Sequence, residues 1–279
     1  MPTLSVSGGE IHYEDRGDGR PIVFVHGGWL DGTFWSRQVR EFSSEYRTIV
    51  PDLRGHGRTG ATEPRRYSVE LFADDLAALC EELSLRRPIL CGLSLGSMVA
   101  GAYAARDSTD PAGVVLASPV RSMPPSVPGP VKAFTPTLPA LATALATYGS
   151  EHTFRLLASS IDATIGNGST WLALDRDARE DAYATAGRIP RREFRKVFGA
   201  LYRHDAPSLS SLAEAEIPTR VLYGDAEAPP VKRQAREVVD EADGDLYEVP
   251  DAAHLLNRDA PAAFDRHLET FLEKTNGAS

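Results

Sequence analysis

Apolar positions follow two alternating rhythms along this chain. Pro21-Ile22-Val23-Phe24-Val25 is an unbroken apolar run, the pattern of a strand covered on both faces. Leu4–Val6 and Ile11–Tyr13 predict two short strands before it, and Arg47–Val50, Pro88–Cys91 and Gly113–Ala117 predict three after it. Between them, residues 33–43 and 68–84 carry helical spacing, and in the second Val69, Phe72, Leu76, Leu79 and Leu83 share one face. After Ser118 the rhythm stops. Prolines at 119, 124, 125, 128, 130, 136 and 139 break regular structure, and residues 140–205 show helical segments with no strand between them. Alternation then resumes with strand Thr219–Tyr223, helix 231–241, strand Leu246–Val249 and helix 260–274.

Strands alternating with helices predict an α/β fold with a mostly parallel eight-stranded sheet flanked by helices. Residues 1–119 and 208–279 are expected to form the core, and 120–207 an inserted helical cap lying over the active site as a lid. A length of 279 residues with 42% hydrophobic positions suffices for one large core. The formal charge of −9 speaks against nucleic acid or an anionic membrane as partner, since both select clustered cations. A small, neutral or weakly charged ligand fits better. Cys80 and Cys91 sit in apolar settings and read as two buried thiols, not as a disulfide or metal site. The first residues lack a signal-peptide pattern, and no apolar run approaches membrane-spanning length, so a cytoplasmic protein is expected.

Gly92-Leu93-Ser94-Leu95-Gly96 lies between the strand ending at Cys91 and a small-residue helical stretch from Ser97 to Ala105. A serine between two glycines at a strand-to-helix junction is a nucleophile elbow, whose sharp turn lifts the hydroxyl above the sheet edge. The glycines let strand and helix approach closely. Such a serine needs a base, and the base needs an orienting group. His12, His152, His204 and His267 fall in an early strand, the cap and the last helix. His254 instead occupies the loop between the last strand and the last helix, which opens at the carboxyl edge of a doubly wound sheet where ligands bind. The orienting acid is sought at the carboxyl ends of strands between Ser94 and His254. Tyr223-Gly224-Asp225-Ala226-Glu227 offers two carboxylates, giving the chain order serine, acid, histidine.

Four motifs in this order resemble the α/β-hydrolase fold superfamily, over almost the whole chain apart from the cap: His26-Gly27-Gly28-Trp29, Asp52-Leu53-Arg54-Gly55-His56-Gly57, the elbow, and the His254 loop. The general outline resembles the carboxylesterase and enol-lactone hydrolase branch with a helical cap. Family members usually carry aspartate three residues after the glycine matching Gly224, and here that position is Glu227; Asp225 is the alternative acid. The resemblance implies an oxyanion hole made by the backbone N–H groups of Gly28 and Leu95. It also implies that His26 and residues 52–57 shape loops; a metal site of His26, His56 and Asp52 lacks ligand-like spacing. Trp29 is expected to wall the pocket or to be a partly exposed core aromatic. Cap positions such as Phe134, Leu138, Tyr148, Phe154, Leu157 and Phe198 offer apolar lining, with Trp171 and Tyr202 as the residues expected to face the cleft.

The reading is a serine hydrolase of a small, mostly apolar ester or lactone, with no metal and no cofactor. Two alternatives stay open. The same triad serves carbon–carbon bond hydrolysis or cofactor-free peracid formation, and a hydrolase scaffold can also serve as a ligand-sensing receptor.

Overall fold

The computed structural model describes residues 2–121, 137–165, 170–203 and 208–276. Eight strands form one sheet: β1 (Thr3–Val6), β2 (Gly9–Arg16), β3 (Pro21–Val25), β4 (Arg47–Pro51), β5 (Ile89–Leu93), β6 (Gly113–Ala117), β7 (Thr219–Gly224) and β8 (Asp245–Val249). Their order is β1-β2-β4-β3-β5-β6-β7-β8. β2 runs antiparallel to both β1 and β4, and all later pairings are parallel. The apolar runs in β3, β5 and β6 are buried at every position, and so is β7 with its Thr219-Arg220 start, because helices cover both faces.

The chain reverses its direction of travel across the sheet between β3 and β5. These neighbours pair in parallel with Val25 opposite Gly92, so the loops leaving them emerge side by side at the carboxyl edge. That reversal is the place where open α/β sheets bind ligands.

Helices on the core are α1 (Ser36–Phe42), α2 (Val69–Glu82) and α3 (Leu95–Ala104). Ser68 caps α2 by accepting the Leu71 N–H at 3.1 Å. The helix expected over 33–43 divides: Gly32–Trp35 is a 3-10 turn and α1 begins only at Ser36. Asp31 Oδ1 takes the Thr33 N–H and tightens this first turn. β5 runs two residues past its expected end, because Gly92 and Leu93 still pair with Leu116 and Ala117.

Between β6 and β7 the described residues form only helices: α4 (Thr137–Ile165), α5 (Arg176–Arg188), α6 (Arg191–Arg203) and the short α7 (Ser210–Glu214). Gly149, at φ 79°, breaks α4 into two pieces. α6 is tied to the core by buried polar groups. Lys196 Nζ bonds Glu193 Oε1 at 2.8 Å and the Thr62 carbonyl at 2.8 Å, while the Tyr67 hydroxyl donates to Glu193 Oε2. Each charge is paired, and the helix is fixed against the loop after β4. The chain closes with α8 (Pro229–Ala242), α9 (Leu256–Asp259) and α10 (Pro261–Asn276). Among the described residues no helix is long and apolar enough to cross a membrane.

Candidate active site

Ser94 stands at the junction of β5 and α3 with φ 54° and ψ −114°. A side chain in this region costs about 1–3 kcal/mol and persists only where the surroundings impose it. Two glycines impose it here. A Cβ on Gly92 would lie 2.2 Å from the Gly96 carbonyl oxygen, and one on Gly96 would lie 2.0 Å from that of Val25. No other residue fits either position, so the glycine spacing seen in the sequence is a steric requirement of the turn. The Ser94 N–H bonds the Ala117 carbonyl at 2.9 Å, which pins the elbow to β6.

The loops after β7 and β8 are bonded to one another through Asp225 N–H to Val249 O and Ala226 N–H to Ala252 O, each 2.9 Å. This pairing separates the two carboxylates. Asp225 is exposed and its Oδ1 accepts the Ala252 N–H at 3.1 Å, stapling the loops. Glu227 is 2% exposed and its Oε2 lies 2.7 Å from His254 Nδ1. Glu227 Oε1 accepts the indole N–H of Trp171 at 2.7 Å and the Ala228 N–H at 2.8 Å. The carboxylate therefore has a donor for each oxygen, and it fixes the His254 proton on Nδ1. His254 Nε2 is buried and has no hydrogen-bond partner among the described residues. His254 and Ser94 line the same cavity.

The loop after β3 is shaped by two buried imidazoles. His26 donates from Nδ1 to the Gly27 carbonyl and accepts the Leu53 N–H on Nε2. His56 donates from Nδ1 to the Arg54 carbonyl and accepts the Trp29 N–H on Nε2 at 2.9 Å. Burial, reinforced by His26, pushes His56 down to about 3, so it stays the neutral acceptor that this bond needs. Asp52 accepts the N–H groups of Gly32 and Arg58, and Arg54 pairs with Asp75 in the interior. These residues build loops, as the resemblance implies. With the Trp29 N–H occupied, Gly28 and Leu95 keep N–H groups that donate to nothing among the described residues.

The cavity has a volume of about 470 Å³. Its walls come from the segment between β6 and β7 (Phe154, Leu157, Ile161, Trp171, Leu172, Phe198, Leu201), from Trp29, and from Pro230 and Val231 at the start of α8. Among the described residues its polar side chains are the hydroxyls of Ser94 and Ser160, the His254 ring and the indoles of Trp29 and Trp171, and no Asp, Glu, Lys or Arg lines it. Trp29 is a wall, stacked on Phe194 at 4.8 Å. Tyr202, expected at the cleft, does not line it: its ring stacks behind Phe198, 5.6 Å away. On one helix, the residue four positions on covers the neighbouring surface, and here Phe198 takes the cavity side. Tyr148 is 58% exposed and faces away. Phe134 and the Leu138 side chain lie outside the described residues. Leu201 and Val231 carry no chemical signature that marks them in the sequence. The bond from Trp171 to Glu227 joins residues 56 apart and has no sequence signal either.

Residues 22–266 match the model of the alpha/beta hydrolase family. Over 111 residues the chain is 39% identical to a non-heme chloroperoxidase of Kitasatospora aureofaciens, a match covering 39% of this chain and 40% of that protein. The chain thus spans under half the length of such curated relatives. A thermophilic esterase from Thermogutta terrifontis superimposes with a TM-score of 0.79 at 27% identity, covering 99% of both chains. The enol-lactonase from Burkholderia xenovorans LB400 does so with a TM-score of 0.76 at 24% identity, covering 98% of this chain and 100% of the other.

Proposed function

The chain belongs to the alpha/beta hydrolase family, and from that premise we propose that it is a serine hydrolase of small, mostly apolar carboxylic esters or lactones. One observation carries the reading: His254 is bound through Nδ1 to a buried carboxylate, while its unpartnered Nε2 lies by the cavity that Ser94 also lines. That is a base held in one tautomer at the same cavity as a serine on a strained backbone turn.

Ser94 Oγ attacks the substrate carbonyl carbon as its proton passes to His254 Nε2. The carbonyl oxygen becomes an oxyanion and accepts from the N–H groups of Gly28 and Leu95, each contributing roughly 3–4 kcal/mol to the transition state. Collapse expels the alcohol oxygen, or the ring oxygen of a lactone, which takes the proton from His254. Water then gives its proton to Nε2 and attacks the acyl-enzyme, releasing the acid and restoring Ser94. Throughout, Glu227 stabilises the imidazolium formed in each half-reaction. The insertion acts as a lid in the sense that α4 and α6 wall the reacting group from water.

The direct test is labelling with a fluorophosphonate followed by mass spectrometry of the folded protein. A single adduct on Ser94 is expected; labelling elsewhere, or none, overturns the reading. The uncharged walls predict the substrate's character. A buried carboxylate would meet no partner there, so aryl butyrate is expected to exceed the aryl monoester of succinate by about 100-fold or more in kcat/KM. Equal rates would contradict an apolar acyl site.

The similarity to proteins named non-heme chloroperoxidase supports a second reading of the same acyl-enzyme. Hydrogen peroxide in place of water yields a peracid, measurable as peroxide-dependent bromide oxidation in the presence of a carboxylic acid.

A further inference from the structure

We propose that Trp171 is a positioning residue of the catalytic centre, holding Glu227 and His254 in alignment from within the helical insertion. The proposal rests on the triad reading above. Glutamate reaches His254 through one more rotatable bond than aspartate, and that freedom must be restrained for the carboxylate to keep one oxygen on Nδ1. The indole N–H supplies the restraint: it is a donor only, carried on a rigid ring, and lies 2.7 Å from Glu227 Oε1. With Ala228 N–H on the same oxygen, Oε2 is the one left for His254. The ring of Trp171 also lies 4.3 Å from that of His254 at an interplanar angle of 36°, limiting rotation of the imidazole.

Trp171 is itself held by the catalytic loop. Its carbonyl accepts the His254 N–H at 3.0 Å, and Leu172 accepts that of Leu255 at 2.9 Å. The Asp259 carboxylate accepts the N–H groups of Leu174 and Asp175 from one side and of Ala253 from the other. Asp162, at the end of α4, accepts the Trp171 N–H at 2.6 Å. The segment is bonded on one side to the His254 loop and on the other to α4, so acid and base are braced by the same stretch that walls the cavity. Because Trp171 also lines the cavity, a role as mere pocket wall is the competing explanation.

A double-mutant cycle separates the two. Steady-state kcat and KM for a neutral aryl ester are measured for Trp171→Phe, Glu227→Gln and the double variant. Trp171→Phe is expected to lower kcat by about 10- to 100-fold with KM within about threefold, and to cost less than about threefold when added to Glu227→Gln. An equal loss in both backgrounds, a loss confined to KM, or an unchanged kcat overturns the proposal. If Glu227→Gln alone keeps the normal kcat, the triad reading itself falls, an outcome visible on the single variant. Should Trp171→Phe not fold, the indole resonances decide. The chain has three tryptophans, and Glu227→Gln is expected to move one indole N–H signal in a ¹⁵N correlation spectrum; three unmoved signals overturn the proposal.

Discussion

Ser94→Ala is expected to lower kcat for an aryl ester by about four to six orders of magnitude while the protein stays folded. A residual rate is expected from the proposed oxyanion donors and the cavity, which the substitution leaves in place. Alanine keeps a Cβ at φ 54°, so the strain of the elbow is retained and the melting temperature should move by only a few degrees. Ser94→Gly removes that strain at the cost of a more flexible unfolded chain, and is expected to be inactive yet no less stable than the native protein. Substrate turnover and thermal melts of the two variants check both statements. Turnover by Ser94→Ala within tenfold of the native rate would remove the nucleophile from the proposed mechanism.

The second large effect is expected at Glu227. Glutamine keeps the shape, but its amide has one acceptor. Trp171 and Ala228 both donate to Oε1, so the amide oxygen must turn to them. The NH₂ group then faces His254 Nδ1, which must become an acceptor, and the ring proton moves to Nε2. An imidazole protonated on Nε2 cannot take the Ser94 proton. Loss of kcat by about 10³- to 10⁴-fold is expected, the size seen when a triad acid becomes its amide. Asp225→Asn should change kcat by less than about threefold, since an amide oxygen accepts the Ala252 N–H as well. Parallel kinetics of the two variants test the assignment, and the opposite pattern would transfer the role to Asp225.

Much of this arrangement is legible in the chain because it is dictated locally. The runs in β3, β5 and β6 must be apolar throughout to be covered on both faces, so they read as central strands without any tertiary information. The glycines flanking Ser94 are fixed by backbone contacts of 2.2 and 2.0 Å that any elbow of this geometry creates. His254 is recognisable because it follows the last strand of an alternating pattern. The extra residues of β2, expected over Ile11–Tyr13 and observed over Gly9–Arg16, carry no apolar signal because Glu10, Asp15 and Arg16 are exposed while their backbones pair with β1 or β4.

The order of elements and the steric demands of the elbow are properties of short segments, and the sequence by itself determined the α/β alternation, the run of helices between β6 and β7, the place of Ser94 at a strand-to-helix turn and that of His254 in the loop after the last strand. Contacts between segments remote in sequence are not encoded in any local pattern, and these only the tertiary structure decided. Pairing of the loops after β7 and β8 turns Asp225 outward and buries Glu227 against His254. Folding of the insertion onto that loop brings Trp171 to the carboxylate and sets Phe198, not Tyr202, at the cavity. Reach and direction of a side chain depend on what its backbone is packed against, and that is fixed only when distant parts of the chain meet.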